Sequence, residues 1–514
     1  MKRLCIILLV VVALSAMALS PEEQNKIEKA RDLLNEVLKN EPAHKSWLGT
    51  NLSEIRHYGT NWPFRNIFKT ASKWKEYSTS TYKPTNNPLN LDDNGWVRCL
   101  APDTYAVASL LLQKPNYPAG EYVVTYEGEG KLLYRGAASK NDDLSTQGRD
   151  VLSVTPTNKG ISLLLMQTTE GNPIRNIKVY FPGEENNTGT FRQQYLDFLT
   201  GYGTLRFMDW MRTNESTLRL WEEHPKTTNS TYSSTAGVPA EVMCELANEL
   251  GADPWFCIPH QATDNYVIQF AKSVKDNLKI ELTPYFEYTN EAWNGGFAQS
   301  AYCKNQGLAL GLDTNPNRAR AYYYSKRAVQ IFTLIEGVYE DTSRFHRVIA
   351  TQAANLGVSR KVLTFEDAYQ HADILAIAPY FGGGFGANDM TLPQLMDSLR
   401  DDAIPQSIHI MEMQKALAEE YGLQLVAYEG GQHLTAKKAQ QKDTALNALL
   451  DAANRSDEME GLYIAYLNAW RKTTDGIFVH FNECGPFTKY GRWGSIEYLG
   501  QELGPKARAL RTLQ

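Results

Sequence analysis

The chain is short of several things that would settle its chemistry at once. Its six cysteines in 514 residues form no CxxC pair and no metal-ligand cluster. Cys5 lies in the first apolar run, which leaves Cys99, Cys244, Cys257, Cys303 and Cys484, an odd set that cannot all pair within one chain. One or two disulfides are compatible with this set, so the core has to supply most of the stability. Positive charge is not in excess: 52 Lys and Arg stand against 58 Asp and Glu, a net charge of -6. That balance gives no basic footprint for nucleic acid and no polybasic patch for membranes. HExxH, P-loop and GxSxG patterns are missing, which removes the sequence support for a metalloprotease, a nucleotide hydrolase or a serine esterase.

Long apolar runs are missing too, except at the start. Lys2 and Arg3 precede "LCIILLVVVAL", which fades into "SAMALS", the charged, apolar, small-residue order of a secretory signal peptide over residues 1–20. The run is shorter than the ~20 residues that span a bilayer. A secreted chain with no membrane attachment after cleavage is expected. Sequons at Asn51, Asn186, Asn214, Asn229 and Asn454 matter only in a glycosylating host, and Asn51 falls in a strand expected to be buried.

What the chain does have is alternation. After a polar amphipathic helix over 21–45, strand-like runs occur at "WLGTNLSEI" (47–55), "TLRFMDW" (204–210), "PWFCIPH" (254–260) and "TPYFEYT" (283–289). Others follow at "HRVIATQ" (346–352), "DILAIAPY" (373–380), "LQLVAYEG" (423–430) and "LYIAYLNAW" (462–470). Segments with apolar residues three and four apart, such as "PAEVMCELANELG", lie between them. Eight such repeats predict an α/β fold, a closed (β/α)8 TIM barrel rather than a doubly wound sheet, whose Gly-rich fingerprint is missing after the first strand. From 80 to 185 the helical pattern gives way to short strands such as "GEYVVTYEGEGKLLYRG", read as a small antiparallel β domain inserted between barrel strands one and two. The expected division is therefore 1–20 signal peptide, 21–79 N-terminal helix and first barrel strand, 80–185 inserted domain, and 186–514 the rest of the barrel. The insert either extends a substrate cleft or covers the barrel.

Side chains at the C-terminal ends of barrel strands meet in one bowl. Strand four ends with Asn290 and Glu291 and strand seven with Glu429. Strand three offers His260 and Gln261, strand six Tyr380, strand eight Asn468 and Trp470, and strand two Arg206, Asp209 and Trp210. Two facing carboxylates suit glycoside hydrolysis, one protonating the leaving oxygen and one attacking the anomeric carbon. Glu287 competes for the strand-four role, because alternation by two carries it to Thr289 and Glu291 and so turns both acids inward. The strand-end position favours Glu291.

With "TNEAW" on strand four and "YEGG" on strand seven, the chain resembles the large clan of retaining (β/α)8 glycoside hydrolases. "LRFMDWMRTN", "GADPWFCIPHQATDNYV" and "EYTNEAW" are similar to secreted cellulase-like proteins often labelled cellulose-binding. The resemblance implies Glu291 as acid/base and Glu429 as nucleophile. It further implies Asn290 as donor to the substrate 2-hydroxyl, Tyr380 as hydrogen-bond partner of the nucleophile, and Arg206 and His260 in supporting places. Trp470 would be the platform under the reacting sugar, and Trp293 could stack on a sugar face, as could Trp62, Trp74, Trp210 and Trp255. The implied activity is that of a secreted retaining hydrolase of β-linked polysaccharide, an endo-acting β-glucanase in the first instance, working as a monomer and requiring no metal or organic cofactor. Structural readings stand beside these. Glu291 could be a helix-start acid and Glu429 a turn residue. His260 could be a structural histidine, Asp209 a partner of Arg206 or Arg212, and Tyr380 and Trp470 barrel packing. A carbohydrate-binding protein on a barrel scaffold, or a transglycosylase, are the competing functions.

Overall fold

The computed structural model describes residues 45–386 and 390–514. The signal peptide and the 21–45 helix fall on residues 1–44 and therefore, apart from Lys45, lie outside the described residues. Eight parallel strands close into a barrel. They are β1 (Leu48–Asn51), β2 (Thr204–Arg206), β3 (Asp253–Ile258), β4 (Tyr285–Tyr288), β5 (His346–Ala350), β6 (Ile374–Ile377), β7 (Gln424–Ala427) and β8 (Phe478–His480). Closure is visible at Gly49, which pairs with Thr204 on one side and Val479 on the other. A Cβ at Gly49 would stand 2.7 Å from the Thr204 carbonyl oxygen, so this crossing of β1 and β2 has room only for glycine.

Helices cover the outside, and their starts follow local chemistry. Leading into β2 and then β3 are α1 (Gln193–Leu199) and α2 (Ala240–Leu250). Before β4 comes α3 (Asp264–Asn277), where the Thr263 side chain accepts from the Tyr266 amide. The β4–β5 connection holds α4 (Ala298–Ala309) and the long α5 (Pro316–Tyr339), which opens with an Asn315 cap and Pro316. Then come α6 (Leu356–Thr364), α7 (Ile404–Glu420) and α8 (Glu458–Thr473), leading into β6, β7 and β8. Trp255, Tyr285, Val348, Ile374, Val426 and Val479 belong to the core inside the barrel. A larger apolar core lies between the strands and the helices.

The segment 462–470, expected to be strand eight, is helix instead. Met459, Leu462, Tyr463, Tyr466, Leu467 and Trp470 recur three and four residues apart and are all buried in α8. Acidic residues occupy its first turn and Arg471 and Lys472 its last, as the helix dipole favours. Helical periodicity overrode the strand preference of tyrosine and isoleucine. The eighth strand is the following run, Phe478–His480.

Between β1 and α1 the chain forms two four-stranded antiparallel sheets with strands from Lys75 to Tyr180, so the first of these strands begins before residue 80. They leave the barrel after the C-terminal end of β1. The five described cysteines are all free, so no disulfide joins them. Asn51 is buried, as its strand position predicted, and Asn454 is buried as well. Among the described residues no helix is long and apolar enough to cross a membrane.

Candidate active site

Arg206, the last residue of β2, organises the bowl. It is fully buried, and its guanidinium reaches four neighbours. It donates to Glu287 Oε2 at 2.8 Å, to Glu429 Oε1 at 2.9 Å, to Asn290 Oδ1 at 2.9 Å and to Asn51 Oδ1 at 3.0 Å. Its planar fork suits this multiple pairing. Asp209 is not among its partners, and Arg212 pairs with Glu54 instead. Asp209 therefore does not play the ion-pair role considered for it.

The two strand-four acids are separated by depth. Glu287 lies inside the barrel with no exposure, held by Arg206, by Trp255 Nε1 at 2.9 Å and by Cys257 Sγ at 3.3 Å. It is the counter-ion that keeps Arg206 in place. Glu291 stands past the strand end and is partly exposed. Its carboxylate accepts from Asn294 Nδ2 at 2.8 Å and from the Tyr428 hydroxyl at 3.3 Å. The backbone there is unusual: Thr289 has φ of 33° and Glu291 of 42°. Left-handed conformations at a β-branched and an acidic residue carry a cost, and such costs cluster where a side chain must be aimed. Hydrogen bonds from Gln299 Nε2 to the Asn290 carbonyl at 2.8 Å and from the Asn294 amide to the Glu291 carbonyl at 2.8 Å brace the turn.

Glu429 follows β7 and is 6% exposed. The Tyr380 hydroxyl donates to its Oε2 at 3.0 Å while Arg206 holds its Oε1. The glycines after it are spatial requirements. A Cβ at Gly430 would sit 2.3 Å from the Phe478 ring, and Gly431 has φ of 128° against the Tyr463 hydroxyl. Tyr428 joins the two sides, since its hydroxyl meets Glu291 and the next residue is Glu429.

Burial raises both carboxyls above the ordinary glutamate range. At Glu429 the neighbouring Glu291 adds to the rise, while Arg206 and Tyr380 oppose it. At Glu291 only the neutral donors Asn294 and Tyr428 oppose it directly, with a further pull from Arg206. Such a pair gives up its protons in two steps. Direct donation from Arg206 and Tyr380 favours the Glu429 anion, against burial and the neighbouring Glu291, which push this carboxyl up to about 8.

The remaining anticipated residues divide. Asn290 is locked between Arg206 and Asn214 Oδ1, 3.0 Å from its Nδ2, which leaves that amide one N–H to spend. His260 is buried at the end of β3 and makes no hydrogen bond with the Arg206 cluster. Its Nδ1 has no partner, and burial lowers its pKa to about 4. Trp470 is not a platform: it is fully buried on α8, and its Nε1 donates to the Gly476 carbonyl at 2.9 Å, ahead of β8 and at the opposite end of the barrel. Trp62, Trp74, Trp210 and Trp255 are buried core. Trp293 is half-buried and lines a cavity beside Glu291.

An aromatic beside the bowl is Trp493, whose ring packs edge-on with its centroid 5.8 Å from that of Tyr380 and 5.8 Å from that of Phe481. It helps to line a 280 Å³ cavity with Asn61, Asp209, Phe481 and Asn482. Asp209 there is pushed up to about 7 by burial and by the Glu483 carboxylate. Asn51, Asn214, Tyr428 and Trp493 were not anticipated as site residues. Tyr428, adjacent to Glu429, carried the nearest signal, whereas Trp493 lies in "GRWG", a loop with no strand to place it.

No protein-family model and no curated protein matches this sequence. Solved structures are similar at low identity. A 4-O-α-L-rhamnosyl-β-D-glucuronidase from Fusarium oxysporum is 11% identical with a TM-score of 0.38 over 61% of each chain. A Bacteroidetes-affiliated cellulase is 13% identical with a TM-score of 0.38, over 63% of this chain and 85% of that one. An endo-β-1,4-mannanase catalytic domain from Bacillus sp. is 10% identical with a TM-score of 0.33, over 64% and 81%. This chain spans less than two thirds of the first of these, and 56% of a modular Cellulomonas fimi mannanase.

Proposed function

We propose that the chain is a secreted, retaining glycoside hydrolase of β-linked polysaccharide, with an endo-acting β-glucanase as the first substrate class to try. The observation that carries this reading is the unequal setting of two glutamates on facing strand ends. Glu429 is held by Arg206 and Tyr380, and Glu291 by neutral donors only. That inequality supports Glu429, whose anion receives a guanidinium and a phenol, as the nucleophile and Glu291 as the acid.

In the first step Glu429 Oε attacks the anomeric carbon as the glycosidic C–O bond breaks, and Glu291 gives its proton to the departing oxygen. The sugar is left as an ester of Glu429. Glu291, now a carboxylate, takes a proton from water, whose oxygen attacks the anomeric carbon and releases Glu429. Asn290 has one free N–H to offer a sugar hydroxyl next to the reacting carbon. Trp493 takes the platform place first expected of Trp470.

Glu429→Gln is expected to lower turnover by on the order of 10⁴-fold or more, and Glu291→Ala by about 10²–10⁴-fold, with the fold retained by circular dichroism. A 2-fluoro glycoside should leave a covalent adduct on Glu429, read by peptide mass spectrometry, and product NMR should show retained configuration. Full activity of either variant on a polysaccharide panel would sink the assignment.

A further inference from the structure

A second cavity lies against the two residues that follow Glu291, between the end of β5 and the helices α5 and α6, and differs in character from the first. It measures 280 Å³, close to the lower end of the about 300–1,000 Å³ typical of ligand pockets. Ala292 and Trp293, the two residues after Glu291, form one wall. Opposite them stand Arg318 and Arg320 of α5 and Lys361 of α6. Arg318 is satisfied by Asp313 at 2.6 and 2.9 Å. Arg320 is half-buried and makes one hydrogen bond, to Ser300 Oγ at 3.2 Å. Among the described residues no carboxylate pairs with Arg320 or with the exposed Lys361.

Three features point the same way. The Arg320 guanidinium spends one of its five donors on Ser300 and keeps the others within reach of solvent, open to a ligand. Two unanswered cations share one cavity in a chain whose net charge is -6. The Trp293 ring forms part of the wall, and its Nε1 has no acceptor among the described residues. The end of α5 does not explain the site, because Asn315 Oδ1 already takes the Asn317 and Arg318 amides. The group fitting these donors is an anion, and the proposed reaction makes it one carried on a sugar.

We infer that this cavity binds an acidic sugar residue, bearing a carboxylate or a sulfate, on the leaving-group side of the bond to be cut. Its placement rests on the proposed role of Glu291. Ala292 and Trp293, which follow that acid directly, wall this cavity, so it is the departing side of the sugar chain that passes nearest to it. The substrate class narrows accordingly to a β-linked polysaccharide with acidic units.

The test is equilibrium binding of D-glucuronate, D-glucose 6-sulfate and D-glucose to the full chain by titration calorimetry. At least one acidic sugar should bind about tenfold or more tightly than glucose, and added salt should weaken it. Lys361→Glu, an exposed change that leaves the melting temperature in place, should remove that advantage, and Arg320→Gln should reduce it. Tighter glucuronate assigns the site to uronic-acid units, and tighter sulfate to sulfated ones. Equal binding of all three sugars, or an acidic preference intact in Lys361→Glu, overturns the inference. Failure of the hydrolase reading is separate: it would appear as no turnover of any polysaccharide by the unaltered chain, whatever the binding result.

Discussion

Arg206 and Arg320 are arginines on the same face of one barrel, and their surroundings are opposites. Arg206 is fully buried, with four hydrogen-bonded neighbours, two of them carboxylates. Arg320 is half-buried on the rim, with one hydroxyl and no carboxylate among the described residues. A closed network of this kind fixes geometry, because every member loses its partner if one moves. An open one leaves its donors to whatever enters. Hydrogen bonds thus close around the paired glutamates, while at the rim the Arg320 donors stay open.

The largest expected effect comes from breaking the closed side. Arg206→Met strands Glu287 inside the barrel and should cost about 3–5 kcal/mol, measured by urea unfolding. A loss below about 1 kcal/mol would mean that the apolar core alone holds the strand ends. Acid tests the same region through His260. Its folded pKa of about 4 lies below the ordinary histidine value, so the unfolded chain takes up the proton first. The contribution is present above about pH 6.5 and is lost as the pH falls through about 4, by up to about 3 kcal/mol. His260→Gln should flatten the melting temperature between those limits.

A smaller effect sharpens the assignment of charge within the pair. Tyr380→Phe removes a donor that favours the Glu429 anion, so the acid limb of the pH–activity profile should move to higher pH. Turnover at neutral pH should fall by about tenfold. An unmoved limb would detach Tyr380 from the ionisation of the pair. The smallest effect belongs to the open side. Arg320→Gln should change unfolding free energy by no more than about 1 kcal/mol, since it gives up one hydrogen bond. A loss comparable with that of Arg206→Met would make Arg320 structural and erase the contrast.

The barrel was legible in the sequence because parallel strands buried on both faces read as apolar runs between amphipathic helices. Seven of the eight runs fall on barrel strands, and the eighth shows where that reading fails. In "LYIAYLNAW" the residue types favour strand and the spacing favours helix; the spacing decided, and Trp470 went with it to the wrong end of the barrel. "GIFVHF" is too short to stand out beside it. The strand ends carried Arg206, Asn290, Glu291, Tyr380 and Glu429 in order, and the structure brings these five together. His260 sits at its strand end and stays outside their hydrogen bonds. Trp493 was illegible because it reaches the bowl on a loop.

The sequence by itself determined the alternation that closes the barrel and the positions of both carboxylates, since periodicity of two and of 3.6 is a local property. Only the tertiary structure separated Glu287 from Glu291. Both point inward by alternation, and their difference is depth: one meets a buried arginine from another strand, the other turns through a left-handed residue toward the open rim. It likewise decided that Arg318 is answered and Arg320 is not, because the pairing of a charge depends on what the rest of the chain folds against it.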